Sequence, residues 1–241
     1  MNVVHFLCAE IDSMGITERK AREKEELKAL ILKAARKLFV EKGIGQTTIR
    51  NIADSIDYSI GTVYVYFRDK NEILHALHTQ GFVDLGGQLK VLFNVKDPME
   101  RLKAMGKVYI NYGLDNPEMY DLMFTLKAPM EFLETIQKDE WDEGRASFDL
   151  LKTTVKQCMD AGHFKGHKLD PMCFLIWSCM HGMCSLEIGS RTKNVNIKNP
   201  ENIVTDAYDE FLKIIKKSLI FFCFHIEHCS FNLYGSLKSK S

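Results

Sequence analysis

Apolar residues recur at intervals of three or four positions along most of the chain, which is typical of α-helices with one buried face. Four Asp-Pro or Asn-Pro pairs stand directly before such segments: Asp97-Pro98, Asn116-Pro117, Asp170-Pro171 and Asn199-Pro200. An Asp or Asn side chain can cap the first turn of a helix, and proline suits the first helical position because its missing N–H has no partner there. Runs of alternating apolar and polar residues bounded by hairpin turns are missing, so the pattern predicts an all-α fold.

Two short helices are predicted close together in the N-terminal third. The predicted elements of this region are a long helix from about Glu25 to Lys42, a short helix from Thr47 or Thr48 to Ser55, a short helix from Ser59 to about Phe67 and a long helix after Asp69. Gly43 is expected to end the first helix, and the turn Ile56–Tyr58 joins the two short ones. Two short helices joined by a tight turn, after a longer helix, indicate a helix-turn-helix.

The second short helix, within Ser59–Phe67, is a poor helix former because it contains a glycine, several β-branched residues and two tyrosines. The second helix of a helix-turn-helix enters the major groove of DNA, where small side chains let the backbone approach the bases. We expect Val63 and Phe67 to face the core. The outer face is then formed by Ser59, Ile60, Thr62, Tyr64 and Tyr66. Hydroxyl groups on this face can bind phosphates, and Ile60 can pack on a thymine methyl.

This region resembles the DNA-binding domain of the TetR/AcrR family of transcriptional regulators. The resemblance covers about residues 28–77 and is carried by Ala34-Ala35, Leu38-Phe39, Gly43, Thr47-Thr48, Ile52-Ala53, Ser59, Gly61-Thr62, Tyr64, Tyr66-Phe67, Lys70 and Leu74. It implies phosphate contacts by Thr47 or Thr48, Arg50, Tyr64, Tyr66 and Lys70. It also implies base contacts by Ser59, Ile60, Gly61 and Thr62. The other interpretations are a packing role for the two tyrosines and a solvated surface charge for the arginine.

Two residues depart from the family pattern. Asp57 stands in the turn where relatives usually carry glycine, and Asp tolerates the left-handed conformation better than most residues do. Ile60 stands where many relatives carry a polar or basic residue. An apolar side chain at this position favours recognition of a methyl-bearing base over recognition of a guanine.

The region after the helix-turn-helix has the pattern of a helical bundle larger than DNA binding requires. Trp177, His181 and Gly182 resemble the tryptophan-histidine-glycine signature of one C-terminal subclass of the family, and Pro117–Phe124 fits the same subclass. The resemblance implies a domain that dimerises and binds a small effector. His181 is interpreted either as a core histidine bonded to a backbone carbonyl or as the polar group of an apolar pocket. The predicted pocket consists of Tyr109, Tyr112, Met123, Phe124, Trp177 and His181.

Dimerisation is predicted on the last two helices, around Phe174–Leu186 and Tyr208–Leu219, because their apolar content exceeds the needs of one buried face. Gly182 is expected to permit a close approach between helices. The apolar stretch Phe221–Ile226 is interpreted as an extension of the last helix or as a cover for the dimer.

The predicted domain boundaries follow from these assignments. They are an N-terminal tail at 1–24, a helix-turn-helix DNA-binding domain at 25–70, an effector-binding and dimerisation domain at 71–222 and a C-terminal tail at 223–241. The N-terminal tail is expected to be disordered, or to lie upstream of a translation start at Met14.

The chain is electrically balanced, with 32 Lys and Arg against 32 Asp and Glu, so no global basic field indicates a nucleic-acid partner. Seven cysteines without a C-x-x-C pair argue against a disulfide framework or zinc site and indicate a reducing cytoplasm. The pairs His163/His167 and His225/His228 have ligand-like spacing but no neighbouring carboxylate or thiolate partners, so they are interpreted as surface and tail residues. We expect no metal, no cofactor and no membrane helix.

We therefore expect a homodimeric repressor that binds a near-palindromic DNA operator and is released by a small, largely apolar effector. Its two recognition helices would lie about 34–36 Å apart, in successive major grooves. The alternative is a DNA-binding protein of the same fold that has no effector and is controlled by a protein partner. An enzyme is not expected, because the sequence contains no nucleophile elbow, phosphate loop or paired-carboxylate arrangement. Asp139–Glu143 is interpreted as a solvated acidic helix face.

Overall fold

The computed structural model describes residues 3–127, 129, 131 and 142–217, with side chains in the first helix from Gly15 onwards. Over these residues the chain forms nine α-helices and three short 3-10 turns without a β-strand, which confirms the all-α prediction. The α-helices are α1 (Val3–Lys42), α2 (Ile49–Ser55), α3 (Ile60–Tyr66), α4 (Lys70–Val91), α5 (Pro98–Asp115), α6 (Pro117–Phe124), α7 (Asp142–Asp160), α8 (Leu169–Ile188) and α9 (Ile203–Lys217). The predicted C-terminal tail, with Phe221–Ile226 and the pair His225/His228, lies outside the described residues, as do Asp139–Trp141 of the acidic segment.

The Asp-Pro and Asn-Pro pairs begin α-helices as predicted in two of the four cases. Asp97 caps α5, where its side chain accepts a hydrogen bond from the N–H of Glu100 at 2.8 Å and the proline opens the helix. The helix α6 likewise starts at Pro117. The other two pairs differ from the prediction. The helix α8 starts one residue before Asp170, and the three residues after Asn199 form a 3-10 turn that precedes α9.

The first helix is longer than the sequence pattern predicts. It begins at Val3 rather than near Glu25, so it includes the described part of the predicted N-terminal tail, whose disorder stays a prediction. It ends at Lys42 as predicted, and Gly43 follows with a left-handed φ of 81°. Exposed ion pairs spaced four residues apart support the turns between residues 19 and 26: Arg19–Glu23 and Arg22–Glu26. The prediction relied on apolar spacing, which the charged segment from Thr17 to Glu26 lacks.

The described residues form two compact units. One unit comprises residues 3–80, 121–127, 129 and 131, and the other comprises 81–120 and 142–217. Both α4 and α6 contribute residues to each unit. The boundary in α4 falls after Gln80, ten residues beyond the predicted end of the DNA-binding domain at Lys70.

The first unit contains the core of the helix-turn-helix. Val63 and Phe67 are 0% and 2% exposed, as predicted for residues that face this core. Other buried apolar residues of the unit come from α1, α2 and α4: Ile31, Ala35, Leu38, Phe39, Ile52, Ala53, Ile73, Leu74 and Leu77. Each large apolar side chain that is buried contributes about 1.5–3 kcal/mol, and this packing offsets the poor intrinsic helix propensity of α3.

The second unit is a helical bundle in which α5, α7 and α8 pack on one another and α9 packs on α8. Its core contains Met99, Leu102, Val155, Cys158, Phe164, Met172, Cys173, Ile176 and Ile215. Phe164 has a φ of 52°, and its burial in this core offsets a conformational cost of about 1–2 kcal/mol. In the part of the chain that the structure describes, no helix is both long enough and apolar enough to cross a membrane.

Arg101 of α5 holds the segment between α4 and α5 in place, and the residue is only 5% exposed. Its Nε and Nη2 atoms donate hydrogen bonds to the carbonyl oxygen of Val95 at 3.0 and 2.7 Å, and its Nη1 atom donates to the side chain of Gln157 on α7. The guanidinium carbon lies 4.7 Å from the ring centroid of Phe93. A buried cation with neutral hydrogen-bond acceptors therefore connects α5, α7 and the chain that precedes α5.

His78 of α4 is a buried titratable residue of the first unit, with 1% of its surface exposed. Burial, followed by the charge of His75, lowers the pKa of His78 to about 4, and a hydrogen bond with the Met123 backbone opposes this shift. The ring centroids of the two histidines lie 6.1 Å apart. The folded chain therefore holds the His78 ring in its neutral form at pH 7.

We expect titration of His78 to lower the free energy of unfolding by about 2 kcal/mol between pH 7.5 and pH 5. The unfolded ring binds a proton below its ordinary pKa of 6.5, whereas the folded ring does so only near pH 4. Between these values the unfolded state binds more protons, so stability falls as the pH falls. Urea unfolding of the wild type and of the His78→Gln variant at both pH values measures this effect. An equal loss in both proteins would contradict the prediction.

Candidate DNA-binding surface and effector cluster

The helix-turn-helix begins with a capping box at Thr48. The Thr48 hydroxyl accepts a hydrogen bond from the N–H of Asn51 at 3.2 Å, and the Asn51 side chain accepts one from the N–H of Thr48 at 3.1 Å. Both Thr48 and Arg50 are exposed. The cap fixes the start of α2 and leaves these two side chains on the surface, where DNA phosphates could reach them.

Thr47 has a different position from its neighbour. It is 1% exposed, and its hydroxyl lies 3.2 Å from the carbonyl oxygen of Leu38 and 3.0 Å from that of Gly43, to which it donates. The side chain ties the end of α1 to the start of α2. Of the two threonines considered for a phosphate contact, Thr47 is therefore excluded by its burial.

The turn between α2 and α3 contains Asp57 in the left-handed conformation, with a φ of 57°. This confirms that Asp57 takes the backbone conformation for which relatives use glycine. The turn is closed by hydrogen bonds from the N–H groups of Ile56 and Tyr58 to the carbonyl oxygen of Ala53, at 3.2 and 3.1 Å. The path of the chain into α3 is thus fixed by backbone bonds and one unusual φ angle.

Ser59 caps α3, because its hydroxyl accepts a hydrogen bond from the N–H of Thr62 at 3.0 Å. The hydroxyl oxygens of Ser59 and Thr62 also lie 2.8 Å apart and share a hydrogen bond. Gly61 has free space around it, since a Cβ atom added there would meet only the Ser59 hydroxyl, at an ordinary contact distance of 3.6 Å. Packing within the chain therefore does not require glycine at this position.

The exposure of the α3 side chains follows the rotation of the helix, at about 100° per residue. Val63 points into the core, and the side opposite to it carries Gly61 and Val65. Val65 is 75% exposed and Tyr64, beside it, is 53% exposed. Ile60, Thr62 and Tyr66 are half-buried at the flanks. Val65 was not predicted from the sequence, although its position four residues after Gly61 places both on one outward line.

The cations near α3 differ in their accessibility. Arg50 and Arg68 are exposed, and the Arg68 Nε atom donates to the Asp69 side chain at 3.2 Å. The Lys70 ammonium group donates to the carbonyl oxygen of Ile44, and burial lowers its pKa. Arg50 is therefore the more available of the two predicted cationic phosphate ligands, and Arg68 is an additional cation that the resemblance did not indicate.

The second unit brings together three of the predicted pocket residues. Trp177 donates from Nε1 to the Tyr109 hydroxyl at 3.2 Å, and that hydroxyl lies 3.2 Å from Nδ1 of His181. Tyr120, which was not predicted from the sequence, places its hydroxyl 2.6 Å from the same Nδ1 atom and 3.0 Å from the His181 carbonyl oxygen. We call Tyr109, Tyr120, Trp177 and His181 the effector cluster, after the role that the sequence predicts for three of them. Burial raises the pKa of Tyr109 and lowers the pKa of His181, so these two side chains are uncharged near neutral pH.

The other three predicted pocket residues lie outside the effector cluster. Tyr112 is buried, and its hydroxyl donates to the carbonyl oxygen of Gly81 at 3.1 Å. Met123 and Phe124 belong to the first unit, and their place in a pocket stays a prediction.

Gly182 does not mediate a close contact between helices of this chain. A Cβ atom added there would meet nothing within 4 Å, so the predicted close approach is wrong within the described residues. Gly113 is the tight position instead, because an added Cβ atom would lie 3.0 Å from the Tyr120 ring and 3.2 Å from the Cys184 sulfur. Tyr120 therefore packs directly over α5.

Two family models match consecutive parts of this chain. Residues 31–77 match the model described as bacterial regulatory proteins of the tetR family, and residues 102–211 match the tetracyclin repressor-like C-terminal domain. The chain belongs to the TetR family. The first match covers the helix-turn-helix and the second covers most of the second unit, so membership in the TetR family rests on both parts of the molecule.

Known helix-turn-helix transcriptional regulators show limited sequence identity to this chain. The transcriptional regulator AcrR of Shigella flexneri is 22% identical over 152 residues, which are 61% of this chain and 70% of AcrR. The repressor KstR2 of Mycobacterium tuberculosis is 29% identical over 90 residues, 36% of this chain and 44% of KstR2. HbdR of Aromatoleum sp. strain CIB is 48% identical over 50 residues, 21% and 22% of the two chains. This chain thus spans less than half the length of the last two relatives.

Solved structures of regulators share the fold, and one of them is described as a TetR-family transcriptional regulator. PfmR of Thermus thermophilus has a TM-score of 0.57 at 22% identity, with 76% of this chain and 97% of PfmR covered. The fatty acid degradation regulator FadR of Bacillus halodurans has a TM-score of 0.59 at 17% identity, with 76% and 93% covered. With the family matches, this TetR-family chain is a DNA-binding transcriptional regulator.

Proposed function

We propose that the protein is a homodimeric transcriptional repressor that binds a near-palindromic operator through α3 and is released by a small molecule. The observation that carries this proposal is the outward side of α3, where Gly61 and Val65 stand opposite the buried Val63. A major groove accepts one helix, and small side chains on its outward side allow close contact with base edges.

Phosphate contacts are proposed around this face. Thr48, Arg50 and Tyr64 are exposed, while Tyr66 and Lys70 are half-buried. Ser59, Ile60, Gly61 and Thr62 are proposed to face the bases, as the family resemblance implies. Hydroxyl and guanidinium groups in these positions can donate to phosphate oxygens and fix the orientation of α3 on the duplex.

A second copy of the chain is proposed to cover an apolar face of α8 and α9. Four large side chains of these helices are 53–66% exposed: Phe174, Leu175, Leu186 and Ile214. Gly182 lies on α8 with open space where its side chain would be. Such a face suits an isologous contact between two copies, which would place two α3 helices about 34–36 Å apart on DNA.

The effector is proposed to be an uncharged, largely apolar molecule that exchanges hydrogen bonds with the effector cluster. Its two tyrosine hydroxyls, indole N–H and imidazole are polar but neutral groups, and such groups give orientation without charge. To lower the affinity for DNA ten- to a hundredfold, effector binding must be coupled to DNA binding by about 1.4–2.8 kcal/mol. We further propose that the protein acts in the cytoplasm, where the chromosome of a bacterial cell lies.

The test is binding of the purified full chain to DNA from upstream of its own gene, across a salt series. We expect sequence-selective binding that weakens steeply as the salt concentration rises, because phosphate contacts release counterions. The Arg50→Gln variant should reduce the slope of log affinity against log salt by about 2 in a dimer, one contact for each copy.

The matched control is Lys165→Gln, which removes an exposed charge from the second unit. This variant should keep the wild-type slope. Binding of the wild type to random DNA as tightly as to the upstream sequence, before and after refolding from denaturant, would contradict the proposed function. Release of the upstream DNA by an uncharged apolar compound, and not by its charged analogues, is the expected effector result.

A further inference from the structure

The helix α3 lacks the side chains that read bases through paired hydrogen bonds. Its sequence is IGTVYVY, from Ile60 to Tyr66, without Arg, Lys, Asn, Gln, Asp or Glu. Bidentate recognition of guanine uses Arg or Lys, bidentate recognition of adenine uses Asn or Gln, and cytosine is read by Asp or Glu. The residues of α3 therefore cannot recognise guanine, adenine or cytosine in these three ways.

The small hydroxyl groups of α3 are already engaged. The Ser59 hydroxyl accepts the N–H of Thr62 and shares a further hydrogen bond with the Thr62 hydroxyl. Both groups thus have a structural partner inside the helix cap. The side of α3 opposite the core presents Gly61 and the two methyl groups of Val65, whose 75% exposure is the highest of the large apolar side chains described. Ile60 adds apolar surface at the flank.

We propose that α3 reads operator DNA through the 5-methyl groups of pyrimidines, with Val65 as a specificity-determining residue beside Ile60 and Gly61. This inference rests on the proposed binding of an operator by α3. In the major groove, thymine differs from the other bases by its C5-methyl group, and apolar side chains are the partners of that group. The protein then distinguishes thymine from uracil, and 5-methylcytosine from cytosine.

The experiment begins with a duplex selected by the full-length protein from a pool of random DNA sequences. The selected duplex is resynthesised with deoxyuridine in place of thymine, which removes only the methyl groups. Burial of one methyl group contributes about fourfold in affinity. One contacted methyl in each half-site of a dimer thus predicts a loss of about 16-fold. Replacing one contacted thymine by cytosine should lower affinity, and 5-methylcytosine at that position should restore part of it.

A pair of variants separates methyl contacts from effects of DNA shape. Deoxyuridine should lower the affinity of Val65→Ala at least about fourfold less than it lowers that of the wild type, because the Val65 methyl groups that contact thymine are gone. Val40→Ala shortens a side chain on α1 that is 52% exposed. It should lose as much affinity on deoxyuridine DNA as the wild type does. Circular dichroism melts should show that both variants fold, since both positions are exposed.

Each contrary outcome has its own meaning. A selected duplex that binds equally well with deoxyuridine overturns the methyl readout and leaves the proposed function intact. If Val65→Ala loses as much affinity on deoxyuridine as the wild type does, the role of Val65 is overturned, because the methyl groups would then act through Ile60 or through DNA shape. A pool that yields no preferred duplex overturns the proposed function and the inference together.

Discussion

Replacing Gly61 by alanine is expected to weaken operator binding by at least about tenfold while it raises the stability of the first unit by up to about 1 kcal/mol. The added Cβ atom meets only the Ser59 hydroxyl at 3.6 Å, so the folded chain accepts it. Alanine is a better helix former than glycine, which accounts for the gain in stability. The same methyl group stands on the outward line of α3, where it holds the helix away from base edges.

The measurement for Gly61→Ala combines thermal unfolding with fluorescence anisotropy on labelled operator DNA. Gly87→Ala is the matched control, because Gly87 lies in α4 and an added Cβ atom there meets nothing within 4 Å. The control should also gain stability, but it should bind DNA as the wild type does. If Gly61→Ala keeps full affinity, α3 does not approach DNA as closely as we propose.

Replacing Arg101 by methionine is expected to lower the free energy of unfolding of the second unit by about 3 kcal/mol. Methionine fills part of the space but leaves the carbonyl oxygen of Val95 without its two guanidinium donors and the Gln157 side chain without one. A buried acceptor that loses its partner costs about 1–3 kcal/mol, and this cost applies to the partly buried carbonyl oxygen of Val95 more than to the side chain of Gln157, which is exposed. The contact of the cation with the Phe93 ring is lost as well.

Urea unfolding of three proteins tests this role of Arg101. Arg101→Lys should recover only part of the loss, because an ammonium group keeps the charge but cannot reproduce the planar fork of donors. Arg191→Met, at an exposed arginine of the same unit, should change stability by less than about 0.5 kcal/mol. Equal stability of Arg101→Met and the wild type would show that the buried hydrogen bonds contribute no net free energy.

The sequence predicted helices correctly where the residues that determine them are close together in the chain. Apolar spacing and the cap residues placed α2, α3 and α5, and Asp57 took the left-handed φ expected of it. The start of α1 was missed because apolar spacing is interrupted between Thr17 and Glu26, where exposed ion pairs support the helix instead. The start of α8 was misplaced by two residues, because the helix begins at Leu169 rather than at Pro171.

The candidate sites were harder to predict, because burial depends on residues distant in sequence. Thr47 and Thr48 are both plausible caps in sequence, and only the fold places Leu38 against the Thr47 hydroxyl. Tyr120 joins the effector cluster through a contact with His181, 61 positions away. By contrast, Val65 was open to prediction, since helical rotation alone puts it opposite Val63.

The left-handed turn at Asp57 has an evolutionary consequence. Few residues accept a φ of 57°, and glycine, asparagine and aspartate are the common choices. In the genetic code, aspartate codons are one nucleotide change from those of glycine and of asparagine. A single point mutation can therefore remove the negative charge of this turn while the backbone keeps its conformation. The charge at the surface of the helix-turn-helix can thus change by one unit at a single codon, without an intermediate sequence that cannot form the turn.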